Sequence, residues 1–600
     1  MTAPGTSALL IEPPPPRLAP PVTGDAGWPP RGGLRAVGAD DPRGWLALAL
    51  AIAALALLSS VTSLGNGFAY DDRWIIVENR HIHSLERSWH FFAETYWPNV
   101  RGAALYRPLT ILLYSVQWVV GDGAPLVFHL VNVALYVAAS VFVLWLALLC
   151  LPRGAAWVAA ALFAVHPVHV EAVGNGVGQA ELWTALVMVG ATALYVRDRR
   201  QGLPLRRHTT RTLVELYILG LLIKENAIVL PALLAAAEWL LVDDRRPARE
   251  RAAALFSLVV WMGLVAALFL WVRVTILEEI GGDVMHPSLM HLSDARRALL
   301  MLGVVPEFGR LFLWPARLYA DYSPRQLPVH TTWHPDVLAG AGILVGALVL
   351  LVVLRRRAPA AAFGLAWLAI SLAPVSNVLI PTGILLAERT LLVPSLGVAL
   401  AAACATPWVL GKLKPAPRAV RLAAAGAFAA VLTLGASRSA ERQYAWKDSD
   451  TVFLTLATDA PLNFKAHYTL GGMFFERKRP VEGEREWRYA IALMPGYYGV
   501  HADLAHKYRE AHVCQAAIPR YEAALAVEPA LPVSVAGLVA CHLELAQWRR
   551  ARVISRTAIA DGFDRRFFIR TIEVADSALV ANDSLDATNK WKGKVAKAKR

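Results

Sequence analysis

The stretch WLALALAIAALALLSSVTSLGNGFAYDDRW, residues 45–74, places an apolar segment directly before a polar one. Residues 45–64 are dominated by Ala and Leu. A membrane-spanning helix needs about 20 predominantly apolar residues. The stretch therefore predicts a span from which the chain emerges into water just before two adjacent carboxylates, Asp71 and Asp72.

The rest of the chain repeats this pattern. Hydrophobic residues make up 56% of the 600 residues, against about 45–50% in soluble proteins. Further apolar blocks lie at 124–150, 155–165, 181–196, 252–275, 336–354, 358–375, 391–410 and 422–436. Segment 212–242 is predicted to be a hairpin, because Arg-rich stretches flank it on both sides. Together the blocks predict an all-α, polytopic membrane domain over residues 44–440 with about eleven spans.

The basic residues predict the orientation. Loops 151–154, 197–211, 243–251, 355–357 and 412–421 hold 18 Lys or Arg in 41 residues, whereas the opposite-side segments 65–123, 166–180, 224–225, 276–335 and 376–390 hold 12 in 151. Lys and Arg concentrate in cytoplasmic loops. We therefore expect a cytoplasmic N-terminus, with the Pro- and Gly-rich residues 1–43 as a disordered tail, and a C-terminal region outside the cytoplasm.

The net charge of +14 is explained largely by these loops. A nucleic-acid interface is not indicated, because no basic face carries interleaved aromatic residues. The last stretch, KWKGKVAKAKR, lies in a basic tail over residues 576–600 that is predicted to be solvated or to touch anionic lipid.

A repeat follows the last apolar block. Pro461, Pro495 and Pro529 recur every 34 residues, as do Leu470, Leu504 and Leu538, and Ala490, Ala524 and Ala558. A 34-residue period with small residues in register is typical of tetratricopeptide repeats. Residues 441–575 are therefore predicted to form an α-solenoid that binds a protein acceptor or partner. Cys514 and Cys541 fall in this region, where a disulfide is permitted, although spacing alone does not show that they are close enough to pair.

The predicted outer segments carry polar residues that membrane packing does not need. They are Asp71, Asp72, Arg107, His166, His169, Glu171, Gln179, Glu181, Lys224, Glu225, Asp321, Tyr322, Asn377, Glu388 and Arg389. Ionisable groups near an apolar zone are expensive unless they are paired, and they tend to line a cavity. Single members are explained equally well as snorkelling or capping residues, but the whole set on one side indicates a functional site.

Known chemical motifs narrow the interpretation. The HPVHVE stretch, with His166, His169 and Glu171, leaves a divalent metal open, but it is not the H-E-x-x-H motif and Pro167 interrupts a helix there. Walker, G-x-S-x-G and dinucleotide-binding motifs are absent from the sequence. A carboxylate at a membrane surface with nearby cations suits transfer from a lipid-linked phosphate. Repulsion between Asp71 and Asp72 would raise the pKa of one of them, as a general base requires.

The motifs FAYDDRWIIVEN, YRPLTILLY, FHLVNVALY, HPVHVEAV, KENAIVLPAL, LWPARLYADYS and SNVLIPTGILLAERTLLVPSLG, followed by AWKDSDTVFLTLATDAPLNFKAHYTLG, occur in this order. Their sequence resembles the transmembrane and tetratricopeptide-repeat-containing O-mannosyltransferases and their bacterial relatives, from about residue 45 to at least 530. The resemblance implies a GT-C glycosyltransferase that moves a sugar, with inversion, from a polyprenyl-phosphate donor to a hydroxyl outside the cytoplasm.

The resemblance also implies residue roles. The acidic pair Asp71 and Asp72 would be catalytic, one as the general base and the other orienting it or binding the sugar. Glu388 and Arg389 match the family's ER pair, and Lys224 and Glu225 match its KE pair. Gln179 departs from the family, whose members usually have Arg there, so Arg107, Lys224 or Arg389 would compensate on the donor phosphate.

Two alternatives remain open at this stage. One is a transferase of the same class that acts on a glycolipid or a surface polysaccharide instead of a protein Ser or Thr. The other is a non-catalytic membrane scaffold that presents the repeats. Composition favours a bacterial inner membrane with the repeats in the periplasm. No cofactor is expected beyond the lipid-linked donor, and the presence of a divalent metal is left open.

Overall fold

The computed structural model describes residues 42–97, 105–199, 204–244, 246–278, 287–289, 292–323 and 325–598, with side chains as far as residue 581 except those of residues 42, 254 and 287. Nearly all of the predicted tail 1–43 lies outside these ranges. Within them the chain is helical and contains no strand. The helices before the C-terminal region are α1 (Pro42–Ser60), α2 (Pro108–Gly121), α3 (Pro125–Cys150), α4 (Arg153–Ala164), α5 (Val170–Gly174), α6 (Gln179–Arg199), α7 (Arg207–Ile223), α8 (Leu230–Leu240), α9 (Ala248–Leu277), α10 (Asp294–Leu313), α11 (Pro335–Arg357), α12 (Pro359–Leu372), α13 (Leu392–Ala403), α14 (Thr406–Leu413) and α15 (Arg418–Arg442).

Single helical turns connect several of these helices. Pro opens α2, α3, α11 and α12, where its fixed φ suits the first turn and its missing N–H costs nothing. The short turns are Val61–Gly65, Arg73–Val77, Arg80–His83, Ser88–Ala93, Pro167–His169, Gly176–Gly178, Glu225–Val229, Pro287–Leu289, Ala373–Val375, Glu388–Leu391 and Gln443–Trp446. Most of the predicted site residues lie on or beside these turns.

Within the described ranges, seven helical segments are long and apolar enough to cross a membrane. They are Arg43–Gly65, Pro125–Cys150, Gly176–Arg199, Ala248–Leu277, Pro335–Arg357, Glu388–Leu413 and Arg418–Trp446. The pair Arg153–Ala164 and Pro167–Gly174, bent by 47°, is an eighth if it forms one span. These segments support an integral membrane protein. The predicted hairpin is present, but its arms have 17 and 11 residues, so the count of about eleven spans stays a prediction.

Small residues allow the central helices to approach closely. α12 and α13 cross where Gly364 and Gly397 face each other, and a Cβ on either glycine would collide with the carbonyl oxygen of the other. α4 is rich in buried alanines and packs against α3 and α13. Close helix contact through small residues is the usual way in which membrane helices associate. This packing fixes the frame on which the polar residues are held.

A buried ionic network closes the predicted cytoplasmic end of α6. Arg199 donates to Glu238 (2.7 Å and 3.0 Å) and to Asp244 (2.8 Å), and its side chain is 2% exposed. Tyr195 and Arg251 also donate to Glu238. A buried charge is tolerated when it is paired and hydrogen-bonded in this way. The network joins α6, α8 and α9.

The C-terminal helices continue after the last candidate span. They are α16 (Ser449–Asp459), α17 (Phe464–Glu476), α18 (Pro480–Leu493), α19 (Tyr498–Glu510), α20 (Cys514–Val527), α21 (Pro532–Glu544), α22 (Trp548–Ala560) and α23 (Arg565–Ala598). Consecutive helices pack on one another from α16 to α23, and the leucines and alanines of the 34-residue period are all buried. Cys514 and Cys541 form a disulfide between α20 and α21. Backbone helix runs through the predicted boundary at residue 575.

The first of these helices share a core with the membrane part. Phe453 and Leu456 of α16 and Leu470 of α17 pack in one cluster with Leu318 and Leu391. The start of the C-terminal region is thereby placed against the loop that precedes Asp321 and against the turn that carries Arg389.

Candidate active site

Asp71 and Asp72, although adjacent, lie in different surroundings. Asp72 turns inward and is fully buried. Its carboxylate accepts hydrogen bonds from the backbone N–H groups of Ala69 (3.1 Å), Gly176 (3.0 Å) and Val177 (2.7 Å). Asp72 therefore joins the loop that follows α1 to the turn that precedes α6.

The pKa of Asp72 reflects this position. Burial raises it to about 7, and the three backbone donors offset only part of the rise. Repulsion from Asp71 adds the smaller contribution. The sequence predicted a raised pKa in this pair through repulsion, whereas in the structure burial is the main cause. The affected carboxyl is the one that solvent does not reach.

Asp71 faces the polar cluster. Its side chain is 20% exposed, and its Oδ2 lies 3.3 Å from Nη2 of Arg389. Arg389 also bonds to Glu171 twice: its backbone N–H donates to Oε2 at 2.9 Å and its Nη1 donates to Oε1 at 3.0 Å. The Arg389 guanidinium thus joins two carboxylates that come from distant parts of the chain.

Glu388 points away from this cluster. It is buried and accepts hydrogen bonds from the backbone N–H of Tyr319 (2.5 Å) and from the hydroxyl of Tyr322 (2.6 Å). The two residues of the ER pair therefore have different contacts. Glu388 holds the loop before Asp321, and Arg389 faces Asp71.

A second group of ion pairs adjoins the first. Lys224 donates to Glu181, and Arg107 donates to both oxygens of Glu225 (2.9 Å and 2.5 Å). Burial disfavours ionisation of Glu225, but Arg107 outweighs it and lowers the pKa of Glu225 to about 2. Glu181 interacts electrostatically with both Arg107 and Arg389. The two groups consequently form one charged cluster.

This charged cluster consists of seven side chains. Its members are Asp71, Glu171, Glu181, Glu225, Arg107, Lys224 and Arg389. Four carboxylates and three cations are brought together, and each cation is paired. A ligand phosphate would have to exchange partners with a carboxylate to reach a cation.

The two histidines belong to the break between α4 and α5. His166 Nε2 lies 3.0 Å from the Phe312 carbonyl oxygen. His169 contacts the Tyr136 hydroxyl through Nδ1 (3.0 Å) and the Ser395 hydroxyl through Nε2 (2.8 Å). Both imidazoles thus bond to protein groups and stabilise the bend that presents Glu171.

The ligand atoms of His166, His169 and Glu171 are not close enough together to form a metal-binding group. Among the described side chains, the group whose ligand atoms all lie within 4.8 Å of one another is His330, His334 and Asp336, and none of these three was a predicted site residue. A bound divalent metal stays a prediction.

Gln179 is buried in a neutral network. Its Nε2 donates to Gln117 Oε1 (3.0 Å) and to Asn132 Oδ1 (3.0 Å), and its Oε1 accepts from Gln117 Nε2 (2.7 Å). Gln179, which departs from the pattern that the family resemblance implies, therefore bonds to other amides. Three cations, Arg107, Lys224 and Arg389, remain in the charged cluster.

Sequence reasoning missed two residues beside Asp71. Lys465 of α17 donates to the Tyr70 hydroxyl, and its Nζ lies 3.6 Å from Asp321 Oδ1. The 34-residue period placed Lys465 among the repeats. Tyr70 was treated as an ordinary apolar neighbour of the acidic pair. The available signal was the NFKAHYTLG stretch, which belongs to the motif series of residues 45–530.

No protein-family model matches the chain. Curated relatives do. The chain is 23% identical over 496 residues to the protein O-mannosyl-transferase TMTC3 of Mus musculus, 26% over 463 residues to the protein O-mannosyl-transferase F38B6.6 of Caenorhabditis elegans, and 26% over 474 residues to the protein O-mannosyl-transferase TMTC4 of Homo sapiens. The alignments cover 78%, 75% and 70% of this chain.

The same alignments cover 53%, 63% and 63% of the relatives, so the chain spans between about half and two thirds of their length. The similarity confirms the family resemblance that the ordered motifs indicate.

Proposed function

We propose, from the similarity to protein O-mannosyl-transferases, that this integral membrane protein is a glycosyltransferase that mannosylates protein. The donor is a polyprenyl-phosphate-linked, mannose-like sugar, and the acceptor is a Ser or Thr hydroxyl on the extracytoplasmic side. The observation that carries the proposal is the partly exposed Asp71 beside Arg389 within the charged cluster.

Asp71 is the proposed general base. It accepts the proton of the acceptor hydroxyl while the acceptor oxygen bonds to the sugar C1, and the bond from C1 to the phosphate oxygen breaks with inversion. Asp72 does not suit this role, because it is fully buried and its oxygens are held by backbone N–H groups. Its proposed role is to position the loop that carries Asp71.

Arg389, Arg107 and Lys224 are the proposed phosphate-binding groups. Guanidinium and ammonium groups in a buried setting stabilise the negative charge that develops on a leaving phosphate. In this proposal the donor phosphate takes the place of Glu171, Glu225 or Glu181 as the partner of one cation. Glu388 supports Arg389 from the neighbouring position, and His166, His169 and Gln179 support the surrounding turns.

The C-terminal helices are proposed to be tetratricopeptide repeats that bind the acceptor protein. The buried 34-residue period and the succession of packed helix pairs support this assignment. The concentration of Arg in the loops at the opposite ends of the spans supports a periplasmic location for the repeats in a bacterial inner membrane.

The test uses the full chain in detergent with polyprenyl-phosphate [3H]mannose and a Thr-rich peptide. Asp71→Asn is expected to lower turnover by about 10²–10⁴-fold, the usual contribution of a general base. Asp294→Asn is the matched control, because the Asp294 side chain is 92% exposed and lies outside the charged cluster. A membrane-inserted Asp71→Asn protein with wild-type turnover would exclude the assignment.

The same assay separates the acceptor classes. Label that moves into the peptide supports protein mannosylation. Label that leaves the donor only when a glycolipid or polysaccharide extract is added would identify the alternative acceptor. Retention of all label on the donor by well-folded wild-type protein would favour the scaffold. Repetition with EDTA tests the metal requirement.

A further inference from the structure

Tyr70, the residue before the acidic pair, has a left-handed backbone with φ 57°. A residue with a Cβ carries about 1–2 kcal/mol of steric cost in this region. Such a conformation persists only where surrounding contacts hold it. Tyr70 lies in a turn that the Asp72 N–H closes on the Ala69 carbonyl oxygen at 3.0 Å. The backbone at Tyr70 therefore orients the segment in which Asp72 is held by backbone N–H groups and Asp71 faces Arg389.

Contacts from the C-terminal region hold Tyr70. Its backbone N–H donates to the Ser449 hydroxyl at 3.0 Å. Its ring packs against Trp446 and Phe453, with centroids 6.1 Å and 5.3 Å away. Its hydroxyl accepts a hydrogen bond from Lys465. Segments more than 370 residues away in sequence thus fix the residue that sets the direction of Asp71.

Lys465 is suited to this position by its charge. Its ammonium lies 4.8 Å from the centre of the Tyr70 ring and 3.6 Å from Asp321 Oδ1. The Lys465 side chain is 41% exposed, and the nearby Tyr70 hydroxyl and Asp321 carboxylate hold the pKa of Lys465 above its usual range. Asp321 is itself held, since Asn463 donates to its carboxylate and carbonyl oxygens at 3.2 Å and 3.0 Å. The lysine therefore bridges α17, the Asp321 loop and the Asp71 loop.

We propose that Lys465, on α17 in the C-terminal region, is a positioning residue for sugar transfer. Through the Tyr70 hydroxyl it holds the Asp71 loop, so that the Asp71 carboxylate lies beside Arg389 and can contact the acceptor hydroxyl. The active site is then incomplete without the C-terminal helices. This inference rests on the proposed function of Asp71.

The test compares Lys465→Met, Lys465→Arg and Tyr70→Phe in the full chain, with polyprenyl-phosphate [3H]mannose and the Thr-rich peptide. Lys465→Met is expected to lower kcat by about 10–100-fold, because displacement of a reacting group by about 1 Å costs up to 10²-fold. The donor KM should change less than twofold, since Lys465 does not bind the donor. Lys465→Arg keeps the cation and should restore most of the lost kcat.

Tyr70→Phe keeps the ring and removes the hydroxyl. Its loss of kcat should be no larger than that of Lys465→Met, which also loses the Asp321 contact, and the double variant should lose no more than Lys465→Met, because both changes break the same hydrogen bond. Lys412→Met is the matched control, since the exposed Lys412 side chain lies on α14, outside the charged cluster and the C-terminal helices. It should retain wild-type kcat.

The outcomes separate this inference from the proposed function. A folded wild-type protein without transfer activity would refute the proposed function itself. With an active wild type, an unchanged kcat in Lys465→Met and Tyr70→Phe refutes the positioning role. A rise in donor KM at constant kcat also refutes it and makes Lys465 a donor-binding residue. If Lys465→Met does not fold, Tyr70→Phe and Lys465→Arg decide by the same criteria.

Discussion

At the scale of single residues, Asp72 should make stability depend on pH. Its carboxyl has a pKa of about 7 in the folded protein and about 3.9 in an unfolded chain. The folded state therefore binds the proton more tightly, and the stability that this group contributes is complete below about pH 4 and is lost as pH rises to 7. The slope is at most about 1.4 kcal/mol per pH unit.

Asp72→Asn removes this titration. The wild-type unfolding midpoint minus the Asp72→Asn midpoint, measured by thermal unfolding in detergent, should be largest near pH 4 and should decrease towards pH 7. Asp294→Asn, which changes a carboxylate that is 92% exposed, serves as the reference for surface titration. If the wild-type midpoint minus the Asp72→Asn midpoint stays constant or rises with pH, Asp72 is not the buried carboxyl with the raised pKa.

The sequence identified the residues of the charged cluster, but not their partners. Ionisable groups beside apolar blocks are visible in any sequence, and so Asp71, Arg389 and Lys224 could be predicted. The direction of the segment that carries Asp71 and Asp72 depends on the left-handed backbone at Tyr70, which composition and spacing do not encode. The contact of Lys465 with Tyr70 joins residues 395 positions apart, beyond the reach of local patterns.

At the scale of helices, the crossing of α12 and α13 should tolerate no side chain. In Gly364→Ala the added Cβ meets the Gly397 carbonyl oxygen and lies 3.1 Å from the Ala401 backbone nitrogen. The backbones must separate, at about 1–3 kcal/mol as in other overpacked contacts. The expected result is a lower thermal midpoint in detergent.

Gly346→Ala on α11 is the matched control, because its Cβ would have no atom within 4 Å. Alanine is the better helix former by about 1 kcal/mol, so this variant should match or exceed the wild-type midpoint. Equal midpoints for the two variants would show that the crossing is looser than the structure has it.

The helices themselves were predicted with uneven success. Long apolar blocks such as 124–150 and 252–275 became single helices with nearly the same bounds. The helix Pro108–Gly121 was missed as an apolar element because it has only 14 residues and was assigned to the first outer loop. The hairpin was found from its charged flanks, yet its arms are shorter than a span, because the turn Glu225–Val229 interrupts them.

At the scale of the whole molecule, the membrane part and the first C-terminal helices should unfold together. Leu456 of α16 is buried in one cluster with Leu318 and Leu391. Leu456→Ala leaves a cavity in that shared core, at about 2–5 kcal/mol. It should lower the thermal midpoint and speed proteolysis of the loop around Leu318.

Leu504→Ala removes the same atoms from a cluster that belongs to the C-terminal helices alone. It should destabilise those helices and leave proteolysis around Leu318 unchanged. If both variants expose that loop equally, the two parts of the chain communicate by some route other than the shared core.

The contact between Tyr70 and Lys465 also has a consequence for the order of events during synthesis. A ribosome adds about 5–20 residues per second, so the 395 residues between the two partners take roughly 20–80 s to make. Throughout that interval Asp71 has already been synthesised, but the groups that orient its loop have not. If sugar transfer depends on Lys465 as proposed, the nascent chain is inactive until synthesis has passed α17.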